Sequence, residues 1–271
     1  MKRLLVGILF AAILTTLRQS LKAGPAPLGI MVPAYFYPTS GGYWNSLNFA
    51  AARVPLIAIM NPNNGPGMRQ DINYVRVLAN LHQADGKVTG YVHTSWGARS
   101  LKDVKADIDH YLLFYAVDGF FIDEMSSDKN TTNLNYYATI YQYIKSRNPN
   151  YSVTGNPGAE TQEAYLATPT ADSVMIFESD GSDYQAFVPS SWVARYPARD
   201  FVHLPYHVAD STTMSNFVGL AMSRNAGWIY ITDATLPNPY DRLPVYWTNE
   251  VNLVREFNDD RVSVRGAATG R

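Results

Sequence analysis

Eight short apolar runs, at 30–35, 55–60, 88–93, 117–123, 151–154, 173–177, 201–207 and 228–232, recur at similar intervals along the chain. Each interval is close to the length of one strand–helix unit. Several of the runs are apolar without alternation, as in "PLIAIM" and "VMIF". A strand of that kind must be covered on both faces, which is the condition of a parallel sheet flanked by helices. Between the runs lie helical patterns. After Ser100, the residues Leu101, Val104, Ile108, Leu112 and Tyr115 step by three and four along one face. Ser100 is placed to cap that helix, with Asp103 completing a capping-box pattern. A second stripe, Leu134, Tyr137, Tyr141 and Ile144, runs up to a stop at "NPN", since proline cannot continue a helix and restricts its predecessor. Segments 214–224 and 245–257 read as the seventh and eighth helices, whereas 41–53 and 182–192 read mostly as loop with short turns. No linker or low-complexity tract divides these units. An open doubly wound sheet would usually have fewer strands, and no Gly-x-Gly-x-x-Gly follows the first strand. The expectation is an α/β fold, a single (β/α)8 barrel, which typically takes about 250 residues.

Segment 1–26 stands apart from this pattern. Lys2 and Arg3 precede an apolar run over 4–14, and small residues follow at Ala23, Gly24 and Ala26. This is the layout of a secretory signal peptide, and the run is too short for a comfortable membrane span. The expected mature protein is therefore 27–271, exported to the cell surface, the periplasm or the medium, with no stable membrane insertion after cleavage. The absence of cysteine makes folding independent of redox state and removes thiolate chemistry. A formal net charge of −1 gives no cationic surface for nucleic acid. A monomer is expected.

In a (β/α)8 barrel, active sites sit at the C-terminal ends of the strands. The runs end in Tyr35 and Tyr37; in Asn61; in His93 and Trp96; in Asp123 and Glu124; in Asn156; in Glu178 and Asp180; in His207; and in Asp233. "VDGFFIDE" is the sharpest of these segments. Carboxylates placed after bulky apolar residues cost several kcal/mol to bury unpaired, so they need solvent or a purpose. Two together repel, which raises one pKa. Glu178 closes "VMIFE" in the same way two strands later. A carboxylate pair flanking a bond is the equipment of glycoside hydrolysis: one acts as nucleophile or base, the other protonates the leaving oxygen. Strands four and six lie about 9–10 Å apart at the usual spacing, so side chains converging from them could reach the separation of either a retaining or an inverting pair. Helix capping and salt bridging are the ordinary uses of such acids.

The aromatic content of 13% suits the same reading, because sugar rings pack C–H faces on aromatic planes while their hydroxyls bond Asn, Asp and Tyr. Tyr35, Tyr37, Tyr43, Trp44, Trp96, Tyr184, Trp192 and Tyr240 fall in expected loops or strand ends. A metal site could draw on His93, Asp123, Glu178, His207 and Asp233. However, no His-x-His follows the first strand and no His-Glu-x-x-His is present, so neither metal nor cofactor is expected. Gly-x-Ser-x-Gly is also absent, which argues against a serine triad.

"VPAYFYP", "GYVHTSWG", "VDGFFIDE", "TGNPG" and "FES" occur in this order from 32 to 179. On these motifs the chain resembles the spherulin-4 family of cell-surface proteins over nearly its whole mature length. The resemblance implies a (β/α)8 fold and a retaining, endo-acting glycoside hydrolase. The substrate it implies is α-1,4-linked N-acetylgalactosamine in galactosaminogalactan, an exopolysaccharide of biofilms. By resemblance, Asp123 is nucleophile, Glu178 general acid/base and Glu124 a positioning residue or alternative nucleophile, with His93, Asn156 and His207 against substrate. Rival expectations are a non-catalytic coat protein that binds polysaccharide and a metal-dependent polysaccharide deacetylase.

Overall fold

A computed structural model describes residues 26–269, with side chains described as far as 260. Eight parallel strands, β1 (Gly29–Ala34), β2 (Leu56–Met60), β3 (Lys87–His93), β4 (Gly119–Asp123), β5 (Ser152–Gly155), β6 (Ser173–Asp180), β7 (Phe201–Tyr206) and β8 (Trp228–Ile229), pair in chain order and close into a barrel. The expected signal peptide lies outside the described residues, apart from Ala26. Among the described residues, no helix is long and apolar enough to cross a membrane.

The helices are α1 (Tyr43–Ala51), α2 (Ile72–Gln83), α3 (Leu101–Phe114), α4 (Thr131–Arg147), α5 (Ala164–Ala167), α6 (Gly181–Ala186), α7 (Ser211–Ser223) and α8 (Trp247–Thr269). Ser100 caps α3 as expected, accepting the Asp103 N–H, and the stripe Val104, Ile108 and Tyr111 is buried against the sheet. Gly90 makes room there: a Cβ at that position would lie 2.8 Å from the Tyr111 ring, so the absent side chain lets α3 approach β3. The region 182–192 holds only the six-residue α6 and the start of a short 3-10 turn over Ser191–Arg195, close to expectation.

Two differences from the sequence reading have physical causes. Segment 41–53 is not mostly loop but contains the nine-residue α1, with Trp44, Leu47, Ala50 and Ala51 buried. Its N-cap, Gly42, is in the left-handed region and makes no side-chain cap bond, so the usual start signal is missing. The eighth strand is two residues long rather than five. Beyond it, the Ile231 N–H donates to Glu250 Oε1 of α8 at 3.0 Å instead of to a neighbouring strand. Glu250 is fully buried, and burial pushes its pKa up to about 8.

One irregularity positions the site. The β6–β7 register shifts between Met175 and Phe177, so Met175 pairs with Val202 and Glu178 with Leu204. Val202 and Leu204 share a face of β7, which puts Met175 and Glu178 on one face although they are three residues apart. A regular strand would place them on opposite faces. The bulge therefore turns Glu178 inward, a known use of such bulges near active sites.

Candidate active site

Asp123 ends β4, Asn156 follows β5, and Glu178 lies in β6, so three neighbouring strand ends contribute to one cluster. The Asn156 amide nitrogen donates to Asp123 Oδ1 at 2.7 Å and to Glu178 Oε2 at 2.8 Å. With each N–H aimed at its own acceptor, those two oxygens lie about 5 Å apart. The Asn156 amide cannot be turned round without loss, because its oxygen accepts the Gly158 N–H at 2.8 Å. Its backbone is clamped as well: its N–H donates to Ile122 O and its carbonyl accepts from Met125 N, both at 2.8 Å.

Tyrosines complete the cluster. The Tyr240 hydroxyl donates to Glu178 Oε1 at 2.6 Å. Tyr91, two residues before His93 and on the same face of β3, hydrogen-bonds Asp123. Tyr35 meets both edge-on, with ring centroids 5.6 Å from Tyr91 and 5.7 Å from Tyr240. Burial, followed by the nearby acids, holds all three phenols well above their ordinary pKa, so Tyr91 and Tyr240 serve as neutral donors to the two acids.

The electrostatics follow from what is missing. Among the described residues, neither Asp123 nor Glu178 has a Lys, Arg or His partner within ion-pair distance. Burial raises the Asp123 pKa, opposed by hydrogen bonds from Tyr91, the Glu124 backbone and Asn156. Burial also raises Glu178, and the Asp123 charge raises it further, opposed by Tyr240 and Asn156. Two carboxyls this close titrate as a pair, with Glu178 the better placed to hold the shared proton.

Glu124 points elsewhere. Its Oε2 accepts the Ser95 N–H at 3.0 Å in the loop after β3. His93 pairs in register with Asp123, and its buried Nδ1 has no hydrogen-bond partner among the described residues. Trp96 is 62% exposed in that same loop. His207 stands at the rim, with Nδ1 2.7 Å from Asp180 Oδ2. Asp233 is held by Arg242 through two bonds of 2.7 and 3.1 Å and also accepts from Val245 N. Asn61 closes its own loop by accepting the Gly65 N–H at 2.9 Å. Tyr37 leaves the acid cluster: its hydroxyl donates to Asp71 Oδ2 at 2.9 Å, and its ring lines a separate groove of about 940 Å³ with Pro66, Met68 and Tyr115. Trp44, Tyr184 and Trp192, expected at a sugar groove, are instead buried in the core.

The sequence reading missed Tyr91 as a site residue and expected Tyr240 only as a groove aromatic, not as a partner of Glu178. Tyr91 was within reach, because a residue two before His93 shares its face. Tyr240 comes from the long β8–α8 connection, where no periodicity locates a side chain. Among the described residues, no group of three or more His, Cys, Asp and Glu side chains could hold a metal ion.

The fold and this strand-end cluster define a (β/α)8 barrel of the glycoside hydrolase kind. The cyclic α-maltosyl-(1→6)-maltose hydrolase of Arthrobacter globiformis, 10% identical, shares that fold at a TM-score of 0.56 over 86% of this chain and 82% of its own. The chain belongs to spherulation-specific family 4, whose model matches residues 29–254. Spherulin-4 of Physarum polycephalum is 34% identical over 245 residues, covering 86% of this chain and 71% of that protein. The crystal structure of Aspergillus clavatus Sph3 in complex with GalNAc superposes at a TM-score of 0.75 with 26% identity, covering 86% of this chain and 98% of that one.

Proposed function

We propose that this protein is an exported, monomeric, endo-acting glycoside hydrolase that cleaves hexosamine-rich polysaccharide, with α-1,4-linked N-acetylgalactosamine as the substrate unit. The observation that carries the reading is the Asn156 amide shared by Asp123 and Glu178, whose two N–H directions set the bonded oxygens about 5 Å apart. Retaining enzymes hold their carboxyls about 5–5.5 Å apart and inverting ones about 6.5–9.5 Å, to admit a water. The separation supports retention.

Asp123 accepts three hydrogen bonds that favour its ionised form, so it is the nucleophile. Glu178 holds the proton and delivers it to the glycosidic oxygen as Asp123 attacks the anomeric carbon. The C–O bond breaks, the shortened chain leaves as an alcohol, and a glycosyl ester forms on Asp123. Esterification removes the Asp123 charge, one of the causes that raised Glu178. Glu178 then takes a proton from water, which attacks the ester and restores both groups. Support for the sugar comes from family membership and from Sph3, whose structure holds GalNAc. The signal-like segment at 1–26 supports export.

The test is mass spectrometry of products from a panel of α- and β-linked hexosamine polymers, with NMR of the newly formed reducing end. Oligosaccharides released from the α-1,4 N-acetylgalactosamine polymer with retained configuration are expected. Binding without release would make the protein a coat protein. Release of acetate that stops on chelation would make it a deacetylase.

A further inference from the structure

Four residues at the ends of β3 and β4 adopt left-handed backbone: Ser95 (φ 48°), Trp96 (φ 53°), Gly97 (φ 86°) and Glu124 (φ 50°). Three of them in sequence, one bearing an indole, is a conformation that L-residues rarely take. Such strain persists where the surroundings over-determine it, commonly at ligand sites. Here the surroundings are mostly Glu124. Its carbonyl accepts from Trp96 N at 2.7 Å and from Thr94 Oγ1 at 2.8 Å, while its carboxylate accepts from Ser95 N at 3.0 Å. The turn is also tied to the catalytic strand itself, since Thr94 N donates to Asp123 O at 3.0 Å. The product of this strain is a tryptophan held 62% exposed, beside the strand end that carries Asp123.

We propose that Glu124 is a positioning residue: it holds the 95–97 turn so that Trp96 forms a stacking platform for a sugar ring on the side of Asp123 away from Glu178. The inference rests on the hydrolase reading of the acid pair and deepens it. The strand order fixes the side, because β3 flanks β4 on one edge while β5 and β6 carry Asn156 and Glu178 on the other. The ligand chemistry is the C–H face of a pyranose, which packs on an indole plane. In this role Glu124 exchanges no proton with substrate and forms no bond to it; its Oε2 is engaged by the Ser95 N–H.

The experiment compares Glu124→Gln, Glu124→Ala, Trp96→Ala and Asp123→Asn on hexosamine oligosaccharides of increasing length, with turnover and calorimetric binding read separately. A glutamine oxygen still accepts the Ser95 N–H, so Glu124→Gln keeps kcat within about threefold of wild type. Trp96→Ala and Glu124→Ala each raise KM and weaken binding by about tenfold, with kcat little changed. A double variant is no worse than Trp96→Ala alone, since both act through one platform. A kcat loss in Glu124→Gln as large as in Asp123→Asn would make Glu124 a reacting group and overturn the proposal. Unchanged KM and binding in Trp96→Ala would overturn it too, without Glu124→Ala having to fold. Wild type that binds these oligosaccharides but cleaves none defeats the hydrolase reading, and binding lost in Trp96→Ala still upholds the platform. Wild type that binds none defeats both.

Discussion

The rim of this barrel carries carboxylates in two different settings. At the ends of β4 to β6, Asp123 and Glu178 share a neutral amide and two phenols. Around the ends of β6 to β8, Asp180 faces His207 at 2.7 Å, and Asp233 is gripped on both oxygens by Arg242. The Asp180 pKa is lowered, first by the Ser182 N–H and then by His207, whereas both central carboxyls are raised by burial. Asp180 and Asp233 are each held by a fixed basic partner at the rim. The central pair has hydrogen-bond donors but no cationic partner among the described residues, so burial keeps both carboxyls above their ordinary range, the setting in which a carboxyl can serve as a general acid.

The largest break in this contrast is removal of a central acid. Asp123→Asn is expected to lower turnover by about 10⁴-fold or more, and Glu178→Gln by about 10²–10⁴-fold, each with the circular dichroism spectrum of the wild type. Asp233→Asn, assayed beside them, is expected to stay within a few-fold of wild type. A loss in that variant equal to theirs would erase the distinction between the two settings.

Next in size is the bridge. Asn156→Ala removes two charge-assisted donors at once, each of about 1.5–3 kcal/mol, and leaves the carboxyls facing each other. A fall in kcat of about 10²-fold is expected. The sign on pH is defined: the Asn156 bonds lower both pKa values, so their loss raises both. Both limbs of the kcat/KM profile should move to higher pH, and a profile that falls in height without moving would show that Asn156 does not tune the pair.

Tyr240→Phe is gentler. The phenol stabilises ionised Glu178, so its loss raises the pKa of the group that must start protonated. The basic limb should shift upward alone, with kcat reduced by less than about tenfold. A shift in the acidic limb instead would exchange the roles given to Asp123 and Glu178.

How much of this was legible follows from which residues obey local rules. The barrel was, because eight runs without alternation at unit spacing leave little else to build, and Ser100 announced its helix by chemistry that does not depend on the rest of the chain. Asp123 was placed at the mouth for the same reason, as the last residue of a regular strand. Glu178 was placed there by its motif, but the face it shows depends on the bulge before Phe177, which no period reveals. Helix α1 is hidden by a glycine cap, and Trp44, Tyr184 and Trp192 read as groove residues because aromatic character does not distinguish core from cleft. The Asn156 bridge and the Tyr240 contact join residues 22 to 62 positions apart, and only tertiary structure brings them together.

The smallest expected effect tests the comparison through stability rather than rate. Because the folded-state pKa of Glu178 lies above that of an ordinary carboxyl, the folded protein binds this proton more tightly than the unfolded chain does. Its ionisation therefore costs stability: the cost is absent below the unfolded pKa of about 4.3 and grows as pH rises toward the folded value. Glu178→Gln carries no such charge. Its Tm should exceed that of wild type at pH 7, and the gain should vanish at about pH 4. Asp233→Asn should do the reverse at pH 7, losing about 1.5–3 kcal/mol because Arg242 keeps only a neutral acceptor. Thermal unfolding of the two variants at both pH values checks the pair of signs. A Glu178→Gln protein less stable than wild type at pH 7 would mean that Tyr240 and Asn156 over-compensate the burial of Glu178, and that the central acids are as settled as those at the rim.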